Sequence, residues 1–244
     1  MKSASAEPDA PSRNRGADLL IACGVSLFAA LRTESHISTA RAHVREGELT
    51  RHTGGRWDGG RAFAIVSGLG LPRTWWIANT AVLRGLERGL EESKVDRRGV
   101  DRLVHACDRA RSELAATCEQ LVEKALPDCA LAAVLFDGGE LHVVSAGPAR
   151  VYLQRSGKPQ RLTPREETPN GVLRARFSHC SAMLEPGDLV MAGSASAFSM
   201  KSIAQVVSVL QQDIKTPPAV LASLLTDPAD QAGAGAAAIV MRVA

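Results

Sequence analysis

The feature that most constrains the fold of this chain is a change of periodicity between residues 125 and 130. From Leu103 to Ala125, apolar residues recur at spacings of three and four, which predicts an amphipathic helix. From Ala130 onward, short apolar runs alternate with turn signals such as Asp137-Gly138-Gly139, which is typical of β-hairpins. Helices and hairpins are therefore segregated along the chain, which favours an α+β fold over a doubly wound parallel sheet.

The same patterns divide the rest of the chain into elements. The predicted helices span residues 73–92, 98–126, 198–212 and 217–226. The predicted strands span residues 19–26, 61–67, 130–136, 141–145, 151–154, 176–183, 189–191 and 238–243. The polar, glycine-containing stretch 38–60 has no clear pattern, and His43 and His52 within it are expected to be exposed. A pair of antiparallel sheets with helices on the outside fits these counts.

Length and composition limit the number of domains and the kinds of partner. The 244 residues include 45% hydrophobic and 23% charged residues, values that are typical of a globular protein. Residues 1–16 are rich in Ser, Ala, Pro and Arg without periodicity, so we predict a disordered tail followed by one domain over residues 17–244. A net charge of +3 and nine aromatic residues argue against a nucleic-acid partner.

The N-terminal region leaves two interpretations open. The apolar segment from Leu19 to Leu31 is too short to span a bilayer, which needs about 20 residues. Leu20-Ile21-Ala22-Cys23 resembles a bacterial lipoprotein cleavage box, which leaves open a membrane-anchored scaffold, but Asp18 interrupts the apolar run that a signal peptide requires. The alternative is a buried first strand. The five cysteines contain no C-x-x-C pair, which favours reduced thiols in a cytoplasm over a disulfide framework or a zinc site.

Several short strings, taken in order, resemble one family. Ala62–Gly70 is similar to the Phe-Ala-Val-x-Asp-Gly-Met-Gly-Gly strand and turn of the PPM-type (type 2C) protein serine/threonine phosphatases. Val143–Leu153, Leu184–Met191 and Ala238–Val243 are similar to later strands of that family, and the resemblance covers about residues 18–243. It implies an αββα sandwich: two antiparallel sheets packed face to face, with helices 73–92 and 98–126 on one outer face and the later pair on the other.

The resemblance also implies that the metal site of the family is degenerate here. Members of this family hold two divalent cations with aspartates, and a bridging water attacks the phosphoryl group. The corresponding positions of this chain are neutral: Ile37, Ser67 followed by Gly68, Ala195 and Ala234. Divalent cations such as Mg²⁺ require oxygen ligands, mainly carboxylates, so we expect neither a resident metal cofactor nor catalytic residues.

Two features keep alternatives open at this stage. Asp58, Asp128 and Asp230 lie near the relevant loops in sequence, and they are candidates to replace the missing carboxylates. If they did so, the chain would be an active Mg²⁺- or Mn²⁺-dependent phosphoprotein phosphatase with displaced ligands. Arg32 aligns with an arginine that contacts the substrate phosphate in the family, since a guanidinium suits phosphate oxygens, or it is a surface arginine without a role.

The leading hypothesis from the sequence is a bacterial pseudophosphatase that acts as a regulatory or protein-binding module. Its partner is expected to be a protein such as a kinase or an active phosphatase, in the cytoplasm, with no nucleic acid and no membrane. The cleft around the degenerate positions is expected to be smaller and less acidic than in the family, without raised carboxyl pKa values. The alternative is a cleft that has collapsed and is filled by side chains.

Overall fold

Two five-stranded sheets form the centre of the molecule. The computed structural model describes the backbone of residues 21–26 and residues 51–121, 126–165, 169–232 and 235–243. The strands are β1 (Ile21–Ser26), β2 (His52–Trp57), β3 (Ala62–Leu69), β4 (Asp128–Asp137), β5 (Glu140–Ala146), β6 (Arg150–Arg155), β7 (Lys158–Arg161), β8 (Ser178–Met183), β9 (Leu189–Gly193) and β10 (Ala238–Val243). The helices are α1 (Trp75–Glu92), α2 (Gly99–Glu119), α3 (Met200–Gln212) and α4 (Pro218–Gln231).

The strand order confirms the predicted α+β sandwich. One sheet has the order β1-β10-β9-β6-β7 and the other β2-β3-β4-β5-β8, and all of these pairings are antiparallel. In β3, Phe63 and Ile65 face the core between the sheets, whereas Ala64 and Val66 face the helices. Because both faces of β3 are buried, its sequence is a continuous apolar run rather than an alternation.

The helix pairs cover opposite outer faces, as predicted. Helices α1 and α2 pack on the sheet that contains β3, and α3 and α4 pack on the sheet that contains β10. The backbones of α1 and α2 approach closely because α1 presents glycines at the contact. A Cβ atom on Gly85 or Gly89 would lie 2.5 Å from the Cα of Ala110 or Ala106, respectively. These positions in α1 therefore accept no larger residue without separation of the helices.

Two predicted helix ends are wrong, and strand β2 was not predicted. Helix α2 ends at Glu119 rather than at residue 126, because its last turn tightens: the amide of Gln120 donates to the carbonyl of Thr117, three residues back. Helix α4 continues past residue 226 to Gln231, with Pro228 inside it. Strand β2 lies in the stretch that had no clear pattern. Its two glycines weaken the β signal, yet Gly54 is required there, since a Cβ would meet the Ile65 side chain at 2.9 Å.

The N-terminal predictions are tested only in part. Cys23 lies within β1, opposite Met241 of β10, which agrees with a first strand. The predicted tail, residues 1–16, lies outside the described residues. None of the helices in the described part of the chain has the length and the apolar character that crossing a bilayer requires. The thiols of Cys107 and Cys129 are free and buried, and burial raises the pKa of both.

Candidate functional site

The first half of the candidate site is the C-terminal end of β3. The alternation that places Ile65 between the sheets places Ser67 on the same face, where it is buried. Gly68 follows, and a Cβ there would lie within 2.4–2.5 Å of the Trp75 side chain. The start of α1 therefore packs directly on the backbone of Gly68. Two of the predicted degenerate metal positions thus lie together at one end of the sheet.

A buried histidine is bonded to Ser67. His52 is the antiparallel partner of Ser67 in β2, and its Nδ1 and the Ser67 Oγ share a hydrogen bond of 2.9 Å. The expectation that His52 is exposed is wrong, since only 3% of its surface is accessible. Burial, with a smaller contribution from the charge of Arg51, lowers the pKa of His52 to about 3. The imidazole is therefore neutral at physiological pH, and it is too weak a base to activate the Ser67 hydroxyl.

Arg51 covers the carbonyl of Gly68. Its Nε donates to the Gly68 oxygen at 3.4 Å, and its guanidinium lies over the Trp75 ring, 5.3 Å from the centroid. Its own carbonyl accepts hydrogen bonds from the Gly68 amide and from the Asn79 side chain, at 2.7 Å and 3.0 Å. These contacts hold a positive charge beside Gly68. Neither Arg51 nor His52 was predicted to be at the site, because β2, which begins with His52 and directly follows Arg51, has no recognisable pattern in the sequence.

The second half of the site is the turn after β9, a strand of the opposite sheet that contacts β3. Ala195 begins a short 3₁₀ turn and contributes only a methyl group. The hydroxyls on either side of it hold the loop before β10: Ser196 donates to the Gly235 carbonyl at 2.8 Å, and Ser194 accepts from the Ala237 amide at 3.2 Å. Neutral hydroxyl groups therefore connect the turn after β9 to the loop before β10, and the described residues of these two segments include no carboxylate.

Asp58 does not compensate for the missing carboxylates. It follows β2 at the end opposite His52, about 20 Å along the strand from the Ser67 end. Its Oδ2 forms ion pairs with Arg102 Nη1 at 2.9 Å and Arg61 Nη2 at 3.0 Å. Burial alone would raise the pKa of Asp58, but the hydrogen bond and charge of Arg102, supported by Arg61, lower it below its usual value. Asp58 is therefore one half of a structural ion pair.

Asp128 lies at the correct end of the sheet, but it is engaged by backbone amides. Its carboxylate accepts hydrogen bonds from the amides of Cys129, Gly171 and Leu173, at 2.8–3.1 Å. It therefore fastens the loop before β8 to the start of β4. The side chain of Asp230 lies outside what the structure describes. Among the described residues, no three His, Cys, Asp or Glu side chains are close enough together to hold a metal ion.

The remaining predicted site residues cannot be compared with the structure. Arg32, Ile37 and Ala234 lie outside the described residues, so the phosphate contact by Arg32 stays a prediction. Among the described residues, His52 is bonded to Ser67, and Trp75 packs on Gly68. Whether the cleft is open or filled by side chains stays a prediction.

Comparison with known proteins finds similarity only at the level of structure. No family model and no curated protein matches the sequence. The solved structures similar to this chain include the *Mycobacterium tuberculosis* serine/threonine phosphatase PstP/Ppp, with 19% identity, a TM-score of 0.66, and coverage of 91% of this chain and 97% of that one. The PstP catalytic domain in complex with two manganese ions has 20% identity, a TM-score of 0.67, and coverage of 92% and 98%.

A third similar structure is PppA, described as a key regulatory component of T6SS in *Pseudomonas aeruginosa*. It has 15% identity and a TM-score of 0.65, and the match covers 92% of this chain and 97% of PppA. Identities this low establish the fold alone. The chain therefore has the fold of the PPM-type serine/threonine phosphatases over nearly its whole length.

Proposed function

We propose that this chain, which has the PPM-type phosphatase fold, is a pseudophosphatase that acts as a regulatory, protein-binding module. One observation carries the proposal. At two positions where the family resemblance implies metal contacts, the groups are bonded to side chains at the start of β2. Ser67 is bonded to the neutral imidazole of His52, and the Gly68 carbonyl is bonded to the guanidinium of Arg51, which directly precedes the strand.

The chemistry of these groups does not fit a pair of divalent cations. Such a pair needs several carboxylates to neutralise its charge. Ser67 supplies a neutral hydroxyl and Ala195 a methyl group, while Arg51 places a positive charge where a cation would have to approach Gly68. The described residues offer no set of ligands for a metal ion that could activate a water molecule.

Two exposed apolar side chains support a role in protein binding. Leu71 lies two residues after β3 and Trp76 lies in the first turn of α1, and their exposed fractions are 46% and 42%. Aromatic side chains are enriched at protein-docking sites. A kinase or an active phosphatase is the kind of partner we propose. The free thiols of Cys107, Cys118, Cys129 and Cys180 are compatible with work in the cytoplasm.

Phosphate release from a phosphopeptide in the presence of Mn²⁺ tests this proposal. We expect the rate with purified protein to equal the rate in buffer, with or without a chelator, because no activated water is formed. Calorimetric titration with Mn²⁺ and Mg²⁺ is expected to show millimolar or weaker binding.

Two outcomes would contradict the proposal: turnover that a chelator abolishes, or micromolar binding of two ions per chain. The variant S67A separates the alternatives further, with S112A on the exposed face of α2 as its matched control. If Ser67 were a metal ligand, S67A alone would weaken the binding of Mn²⁺. If the site holds no metal, the two variants and the unaltered protein give the same titration.

A further inference from the structure

A cavity lies on the outer face of the sheet that contains β6, β9 and β10, away from the candidate site. Its floor is one row of residues across three neighbouring strands: Gln154 of β6 pairs with Leu189 of β9, and Leu189 pairs with Arg242 of β10. The volume of the cavity is about 160 Å³. Leu189 is four residues from the end of β9 that carries the candidate site, about 13 Å along the strand. The cavity is therefore separate from that site.

The walls of the cavity are mainly apolar. Val207 and Leu210 on α3 cover the floor, and Ile214, which follows α3, stands at the edge with 68% of its surface exposed. Gly157 and Gly187, both at positive φ, line the opposite side with bare backbone. An apolar cavity of about 150 Å³ is large enough to hold a benzene molecule. This space therefore suits one branched or aromatic side chain.

The floor contains a buried amide with an unsatisfied oxygen. Only 4% of the Gln154 surface is exposed, and its Oε1 has no hydrogen-bond partner among the described residues. A buried acceptor without a partner is uncommon, because the lost hydration is not replaced. The terminal torsion of glutamine is broad and two-fold, so rotation of the amide can turn either its oxygen or its N–H groups toward the cavity. A ligand with an N–H donor would satisfy the oxygen.

The other end of the floor carries a positive charge. Arg242 Nη2 donates a hydrogen bond to the Thr216 carbonyl at 2.7 Å. The other N–H groups of this guanidinium, which has five in all, have no acceptor among the described residues. Burial lowers the pKa of Arg242, while the nearby charge of Asp213 acts in the opposite direction. The Asp213 carboxylate accepts the Lys215 amide and is exposed. A guanidinium that is partly removed from water and has remaining donors is suited to a ligand carboxylate.

We propose that this cavity binds an α-carboxylate that carries an N–H donor on its α-carbon and an apolar side chain. The carboxylate pairs with Arg242, the N–H donates to Gln154, and the side chain lies between Leu189, Val207 and Leu210. Two sources share this chemistry: a free apolar amino acid, such as leucine, and the C-terminal residue of a polypeptide. This proposal does not depend on the proposed function.

Calorimetric titration of the full chain with three probes tests the proposal. L-leucine represents the free amino acid, N-acetyl-L-leucine represents a chain terminus, and L-leucinamide lacks the carboxylate. We expect saturable binding of leucine, of N-acetyl-leucine or of both. Leucinamide is expected to bind at least roughly tenfold more weakly, because it lacks the carboxylate that forms the charged hydrogen bond with Arg242. Binding of leucine alone identifies the free amino acid as the source, and binding of N-acetyl-leucine alone identifies a chain terminus.

Three variants locate the binding. R242M is expected to weaken the binding of leucine and N-acetyl-leucine roughly tenfold or more. Q154L is expected to weaken the binding of the same two probes. V207W, which fills the cavity, is expected to abolish binding. R84M, on the exposed face of α1, is the matched control and keeps full affinity. Thermal melting shows whether each variant is folded; if V207W is not, R242M and Q154L decide. The proposal is wrong if neither carboxylate probe saturates by about 10 mM, which is weaker than a specific site of this kind should bind, or if folded R242M and Q154L both bind as the unaltered protein does.

Discussion

The variant D58N is expected to lower the free energy of unfolding by about 3–5 kcal/mol, because it leaves a buried guanidinium without its counter-charge. The side chains of Asp58 and Arg102 are only 6% and 8% exposed, and their ion pair is 2.9 Å long. Arg102 also donates to the carbonyl of Leu90, so the pair links the β2–β3 hairpin to the end of α1. Asparagine tolerates the positive φ of 53° at position 58, so the variant tests charge rather than backbone strain. Urea unfolding at pH 7 measures the effect.

Two further variants give the controls for D58N. E113Q breaks the ion pairs of Glu113 with Arg84 and Arg88, both of which are at least half exposed, and it should cost at most about 1 kcal/mol. The double variant D58N/R102M removes both buried charges, and it is expected to be more stable than the sum of the single variants predicts. A loss for D58N no larger than the loss for E113Q would show that the pair is not desolvated as the structure indicates.

Acidification from pH 7 to pH 4 is expected to destabilise the protein through His52, and H52Q is expected to remove this part of the loss. The unfolded chain binds a proton at this histidine below about pH 6.5. The folded protein does so only near pH 3, because burial and Arg51 lower the pKa. The stability from the neutral imidazole is thus fully present above pH 6.5 and decreases as the pH falls toward 3. At pH 4 the difference amounts to about 3 kcal/mol.

The comparison of H52Q with the unaltered protein isolates this effect. Asp58, whose pKa is lowered by Arg102 and Arg61, also contributes stability that is lost in acid, but it is present in both chains. H105Q, which replaces a partly exposed histidine on α2, is the matched control. Urea unfolding of each of the three proteins at pH 4, 5, 6 and 7 measures the pH dependence of stability. Equal pH dependence of H52Q and the unaltered protein would mean that His52 is solvated.

The sequence predicted the helix pairs and the central hairpins of the fold, but it did not predict strand β2 at the edge of one sheet. The helix pairs and the hairpin at Gly138-Gly139 are local patterns, and the structure has them where the periodicity places them. Strand β2 was missed because its identity depends on a non-local contact. A Cβ at Gly54 would lie 2.9 Å from both the backbone oxygen of Ala64 and the Ile65 side chain, and no neighbouring residue in sequence indicates this.

The candidate site divides in the same way. The sequence alone shows that positions 67 and 195 carry no carboxylate, the ligand that a pair of divalent cations would need. What Ser67 and Gly68 contact instead could not be predicted. Arg51 and His52 reach them through strand pairing, across 15 to 17 residues of chain. The sequence also suggested Asp58 and Asp128 as replacements, and it gave no sign of the ion pair with Arg102 or of the backbone amides that engage Asp128.

The sequence by itself therefore determined which segments form helices and strands and which residue types occupy the candidate site. Periodicity and residue identity are local, and each strand or helix carries them independently of its partners. Only the tertiary structure decided that His52 and Arg51 contact Ser67 and Gly68. It also decided that His52 is neutral and that Gln154, Leu189 and Arg242 form one row. Burial, pKa and the register between strands depend on neighbours that are distant in sequence, and these neighbours exist only once both sheets have formed.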